Sequence, residues 1–191
     1  MTVRQIAQIG APVLRQRARE LTIEELRSAE VQALIDDLIE TMRHANGAGL
    51  AAPQIFEPMR ICAMEVKDNP RYPYKPNIPL TVLVNPTVEI LSDHTFDNYE
   101  GCLSVPNLRG VVQRNAEITV RGLDRHGDAV ERTVRGFTAG TYQHEIDHLD
   151  ATLFVDRVTD PQTLTTWENF DAVHREAWLA RADEIVKRWG S

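Results

Sequence analysis

The chain has 191 residues, 42% hydrophobic and 26% charged, which suits one globular domain with a real core and excludes a disordered chain. Its formal net charge of −7 makes a poor platform for phosphate backbones, so no direct nucleic-acid binding is expected. No apolar run approaches the roughly 20 residues that span a bilayer, so no membrane partner is expected either. The first ten residues lack the apolar core of a signal peptide, and two cysteines do not make a secreted disulfide framework. A cytoplasmic location is expected.

Along the chain, residues 7–21 read as an irregular arm containing Gly10 and Pro12. Thr22 and Glu25 have the spacing of a capping box. Val31, Leu34, Ile35, Leu38, Ile39 and Met42 then recur as one helical face, and Asn46-Gly47 terminates it. Residues 47–54 are a loop of small residues, and 59–66 a strand. Four prolines in 67–79 predict a surface excursion. Residues 80–91 are β-branched and apolar, a strand region interrupted at Asn85-Pro86. Residues 117–123 and 129–135 flank turn chemistry at 124–128 and predict a hairpin. Residues 138–150 read as a helix capped by Thr138.

The last element, about 161–189, reads as one long helix. Its Leu164, Trp167, Phe170, Ala177, Trp178, Ile185 and Trp189 fall near one stripe. No repeat or linker divides the chain, so 1–191 is read as a single domain. Strands grouped between helices predict an α+β fold. In it, antiparallel sheets pack around the helix of 138–150, with an N-terminal helix and a long C-terminal one.

The strongest chemical signal is His144-Glu145-Ile146-Asp147-His148. Residues four apart on a helix share a face, so both imidazoles can reach one small divalent ion. Glu145, one step round, can take a proton from water at that ion without ligating it. The bland alternative is a polar helix with two histidines by accident. Two ligands do not complete a catalytic site, which usually has three. Asp156 and Glu168 lie downstream, where zincin-type peptidases find their third, but both read better as surface charges. Cys102, in Glu100-Gly101-Cys102-Leu103-Ser104-Val105-Pro106, offers a soft thiolate, although a lone cysteine is often a buried core residue. Cys62, inside an apolar strand, reads as core. In Gly47–Gln54 small residues leave the backbone open to an extended peptide, and Gln54 carries an amide able to donate to an oxyanion. A helix cap followed by a packing turn has the same composition.

Together the segments Gly47–Gln54 (GAGLAAPQ), Glu100–Pro106 (EGCLSVP) and Gln143–Ala151 (QHEIDHLDA) resemble, in order, the three motifs of the peptide deformylases. The resemblance extends over most of the chain up to about Asp156. It implies hydrolysis of the N-formyl group of formyl-methionyl peptides, with release of formate. Cys102, His144 and His148 would hold one divalent metal, Fe(II) in many members and Zn(II) or Ni(II) in others. Glu145 would be the general base and then the acid. Gln54 and the Leu103 N–H would hold the oxyanion, and Gly49 would pair with the substrate backbone. Glu100 and Arg109 match family positions near the substrate.

Three departures stand out. The family glycine that closes the third motif is Ala151 here, a cost if the backbone turns to positive φ. Gly140 and Thr141, one turn before His144, replace bulkier apolar residues of some members; Gly140 either widens the pocket for the first substrate side chain or allows close helix packing. From Asp160 onward six acidic residues outnumber four Lys/Arg, so the last helix is no basic dock for the ribosome, although nascent chains there remain candidate partners. Its tryptophans are expected to pack on the domain or at a weak dimer contact. Two rival functions are an HExxH metallopeptidase with a ligand after His148, and a deformylase-like metal-binding protein without turnover.

Overall fold

Residues 2–68 and 73–191 are described by the computed structural model. Thr22 and Glu25 bond reciprocally as a capping box and start the single turn α1 (Ile23–Leu26). Ser28 then caps α2 (Ala29–His44), accepting the Val31 N–H. The six apolar residues of its predicted face are buried, against Leu50, Ile55, Ile61, Ala63 and Val84. Such burial contributes roughly 1.5–3 kcal/mol per large side chain, which is why this face fixes the helix. Asn46 turns to φ 52° and ends the run, as its position before Gly47 predicts.

Five antiparallel strands form the main sheet: β1 (Gly49–Ala51), β2 (Ile61–Val66), β3 (Ile78–Ile90), β6 (Glu117–Leu123) and β7 (Ala129–Arg135), in the order β1-β2-β3-β6-β7. The β6–β7 hairpin has the predicted limits. The expected break at Asn85-Pro86 is instead a bulge in one continuous strand. The register shifts between Val84 and Thr87, and Asn85 sits at φ 51°. Its side chain exchanges hydrogen bonds with Leu21 N–H and C=O, tying the N-terminal arm to the sheet.

A second sheet, β4 (Thr95–Cys102) paired with β5 (Val105–Asn115), was not legible in the sequence. Its buried side includes Asn98, Glu100, Arg109 and Arg114, so the apolar–polar alternation that marks a strand is missing. Between the sheets lies α3 (Gly136–Leu149), buried along most of its length. Ala139, Tyr142, Ile146 and Leu149 pack on the main sheet, and Phe137 meets Phe96 of β4. Thr138 is not its cap. The helix begins at Gly136 with no side-chain cap, and Thr138 bonds to the Ser191 hydroxyl.

The C-terminal segment is also shorter as a helix than expected. Pro161–Thr163 form a separate 3₁₀ turn, and Thr165 pairs with the backbone of Arg109. Thr166 then caps α4 (Trp167–Asn169), which runs through a π-helical turn (Phe170–His174) into α5 (Arg175–Trp189). Phe170, Trp178, Ala182 and Ile185 bury against Phe96, Tyr99 and Phe137, whereas Leu164 and Ala177 of the predicted stripe face outward. Among the described residues no helix is long and apolar enough to cross a membrane.

Candidate metal centre

Helix α3 carries His144 and His148 one turn apart on one face, their ring centroids 5.1 Å apart. Cys102 reaches them from the end of β4, where the register shifts between Gly101 and Cys102. Its Sγ lies 3.3 Å from His148 Nε2 and accepts the Ser104 N–H at 3.4 Å. One donor atom from each of the three residues lies within 4.8 Å of the others, and among the described residues no other such cluster occurs. Bonds of about 2.0–2.3 Å to a tetrahedral ion hold donor atoms roughly 3.3–3.8 Å apart, so the set fits one ion after small closure. Cys62 is fully buried in β2, where burial first and the nearby Glu145 second push its thiol well above its usual range.

The histidines are aimed by a buried ionic chain. Glu100 accepts from His144 Nδ1 at 2.8 Å, which leaves Nε2 for the metal. Arg114 donates to both Glu100 oxygens at 2.7 and 2.8 Å and to Asp147 at 2.6 Å, and Arg157 donates twice to Asp147 at 2.5 Å. Burial alone would raise the Glu100 carboxyl, but Arg114 overrides it and holds the group well below the carboxylate range. Burial, then the charge of His144, push His148 well below the usual imidazole range, into the neutral form that ligates.

Beside this set stands Glu145. It is 4% exposed, and its Oε2 is buried with no hydrogen-bond partner. Burial pushes its carboxyl up to about 7, near the value a general base needs at neutral pH. Gly49 lies against it: a Cβ there would fall 2.6 Å from Glu145 Cγ and closer still to the carboxylate. β1 is also the edge of the main sheet, so its outer side can take an extended peptide. Gln54 accepts the Ala51 N–H at 2.8 Å through Oε1. This directs Nε2 toward Ser104 Oγ at 3.1 Å and Cys102 Sγ at 3.5 Å. Leu103 lines the same cleft.

The remaining sequence candidates divide. Gly140 and Thr141 line the cleft, but the space above Gly140 is taken: a Cβ would come to 3.2 Å from Asn98 Nδ2 and 3.3 Å from Phe96. Glu100 borders the cleft with its carboxylate committed to Arg114 and His144. Arg109 is not among the residues that line it. Its guanidinium stacks 3.9 Å from the Phe170 ring and 4.3 Å from Trp167, and it donates to the Tyr99 carbonyl. Sequence reasoning missed Ser104, Arg114, Asp147, Lys75 and Asn98. Ser104 and Asp147 were within reach, since they fall inside the motifs; Arg114 carries no local signal.

Three metal donors, a poised carboxylate and an oriented amide beside an open strand edge define a metal-dependent amide hydrolase. The model of the polypeptide deformylase family matches residues 3–163, and the chain belongs to that family. It is 42% identical over 165 residues to peptide deformylase 2 of Nostoc sp., covering 86% of this chain and 91% of the relative. It is 48% identical over 138 residues to peptide deformylase 2 of Ralstonia nicotianae, covering 72% and 78%. Among solved structures, a Met-Ala-Ser-bound class I type b peptide deformylase from Acinetobacter baumannii matches with a TM-score of 0.79 and 38% identity, over 82% of this chain and 99% of that one.

Proposed function

We propose that the chain hydrolyses the N-formyl group of formyl-methionyl peptides, nascent chains included, with release of formate. The observation that carries this is the buried, unpartnered Glu145 Oε2 beside the Cys102–His144–His148 set. A divalent ion bound there would supply a Lewis acid for the formyl oxygen and make water acidic near neutral pH. Glu145 accepts the proton of the attacking water and returns it to the leaving amine. Gln54 Nε2, fixed by Ala51 and Ser104, and the Leu103 N–H donate to the oxygen as it gains charge. Gly49 pairs with the peptide backbone, the role for which its strand edge is suited.

The mixed thiolate and imidazole donors suit Fe(II), Zn(II) or Ni(II), and Fe(II) is the native ion in this reading. The relative that holds Met-Ala-Ser supports a short peptide as ligand. The buried stripe of α5 favours a monomer, and the cytoplasm is the compartment. A peptidase would need a third ligand after His148. Asp156 is instead engaged by Arg15 and the Leu153 N–H, and Glu168 is exposed.

The test is formyl-Met-Ala-Ser incubated with anaerobically prepared, Fe(II)-loaded protein. Formate and intact Met-Ala-Ser are expected. Cleavage between residues with the formyl group retained would point to the peptidase.

A further inference from the structure

The two oxyanion donors stand on separate elements. Gln54 lies in the 3₁₀ turn after β1 (Ala52–Ile55), and Leu103 in the turn between β4 and β5. The N-terminal arm crosses both. Ala7 N–H donates to the Gln54 carbonyl and Ile9 N–H to the Ser104 carbonyl, each at 2.7 Å. Residues two apart in an extended chain present their N–H groups on the same side, so one short stretch can hold both carbonyls. Gln54 Nε2 in turn donates to Ser104 Oγ at 3.1 Å. The three bonds close a ring that runs from Gln54 to Ser104, to Ile9, along the chain to Ala7, and back to Gln54. Ser104 is fully buried and joins directly to Leu103. The arm is also held on both sides of this ring. Upstream, Arg4 N–H donates to Thr41 Oγ1 of α2 at 2.9 Å. Downstream, Ala18 N–H donates to the Leu149 carbonyl at the end of α3, also at 2.9 Å.

We propose that Ala7 and Ile9 are positioning residues of the deformylase reaction: their N–H groups clamp the Gln54 turn to the Ser104 turn and so set the separation of the Gln54 amide and the Leu103 N–H. The proposal rests on the deformylase reading, in which those two groups receive the oxyanion. A misplacement of about 1 Å in such a group can cost on the order of a hundredfold in rate. Oxyanion donors act as charge develops in the transition state. A loosened clamp therefore lowers kcat and leaves binding of the uncharged peptide alone.

The two residues contribute differently. The Ala7 side chain is buried in one cluster with Val105, whereas the Ile9 side chain is 47% exposed, so Ile9 acts through its backbone. Gly10 sits at φ 100° and Ala11 N–H donates to the Gln8 carbonyl at 2.9 Å, the pattern of a type II turn with Ile9 at its second position. Proline is common at that position, so Ile9→Pro keeps the turn and removes the N–H. Ile9→Ala trims the exposed side chain and keeps the N–H.

The experiment measures steady-state kinetics on formyl-Met-Ala-Ser, calorimetric binding of the product Met-Ala-Ser, and metal content, for the metal-loaded wild type, Ile9→Pro and Ile9→Ala. In Ile9→Pro kcat should fall about tenfold, with KM, product affinity and metal content near the wild-type values. Ile9→Ala should keep most of the wild-type kcat. Hydrogen exchange on the wild type should show the Ala7 and Ile9 amides strongly protected and that of Gln8, between them, open, a result that stands even if Ile9→Pro does not fold. Four outcomes would overturn the clamp while leaving the deformylase reading intact: an unchanged kcat in folded Ile9→Pro, an equal fall in Ile9→Ala, a loss of product affinity as large as the loss of kcat, or an Ile9 amide that exchanges as fast as Gln8. No formate from the wild type would overturn both.

Discussion

At the scale of single residues, the site separates groups that react from groups that aim them. Glu145→Gln keeps the size of the side chain and removes the base. It should lower kcat about 10²–10⁴-fold with metal content unchanged, read by formate release beside metal analysis. Gly49→Ala tests the same carboxylate from the other side, because its methyl group would occupy the space of Glu145. A folded, metal-replete protein with much reduced turnover is expected; wild-type turnover would mean that Glu145 has freedom the packing denies. Arg114→Met leaves Glu100 as a buried charge without its main partner and should destabilise by about 3–5 kcal/mol. The pH dependence has a definite sign. Glu100 titrates below its unfolded value, so its stabilisation is present above about pH 4.3 and is lost as the pH falls through and below that point. Chemical denaturation of the metal-free chain at pH 7 and pH 3 should show the gap between wild type and Arg114→Met closing in acid. A gap that persists would show that Arg114 stabilises by packing. Residue types at fixed spacing made His144, Glu145 and His148 readable in advance, and the resemblance carried by residues 100–106 added Cys102. Arg114 was not readable, since what it does depends on a strand partner 14 residues away in the chain, Glu100.

At the scale of elements, legibility followed the periodicity of burial. Helix α2 buries a clean apolar face and stands where it was read, and the β6–β7 hairpin has the limits that its turn residues at 124–128 predict, although no residue of β7 is buried. The β4–β5 pair buries the ionic chain of the site, so function erased the pattern that would have marked it. The last helix was read too long because Pro161 and the extended Leu164–Thr166 segment sit in an apolar stripe that continues past the helix. Ala151 is the reverse case, a conflict visible in the sequence and present in the structure. It closes α3 at φ 60°, where alanine costs on the order of 1 kcal/mol relative to glycine. Ala151→Gly should raise the melting temperature by several degrees without altering metal content. A lower melting temperature would show that Ala151 makes contacts that outweigh its backbone conformation.

At the scale of the whole molecule, the small sheet is inserted between β3 and β6 of the main one, both sheets meet α3, and a bound metal would tie the small sheet to that helix. Cys102 belongs to the small sheet and both histidines to the helix, so bound metal should stabilise the fold and chelation should lower its melting temperature. The region matched by the family model ends at Thr163, ahead of the aromatic layer that Phe170, Trp178 and Ile185 lay over Phe96, Tyr99 and Phe137. The central claim remains one metal held by Cys102, His144 and His148, with Glu145 as the proton carrier for formyl hydrolysis. Metal stoichiometry and formate release from formyl-Met-Ala-Ser, measured together on wild type, Glu145→Ala and Cys102→Ala, test it most directly. One ion with formate is predicted for the wild type, one ion without formate for Glu145→Ala, and neither for Cys102→Ala. Full metal content and turnover in Cys102→Ala would contradict it.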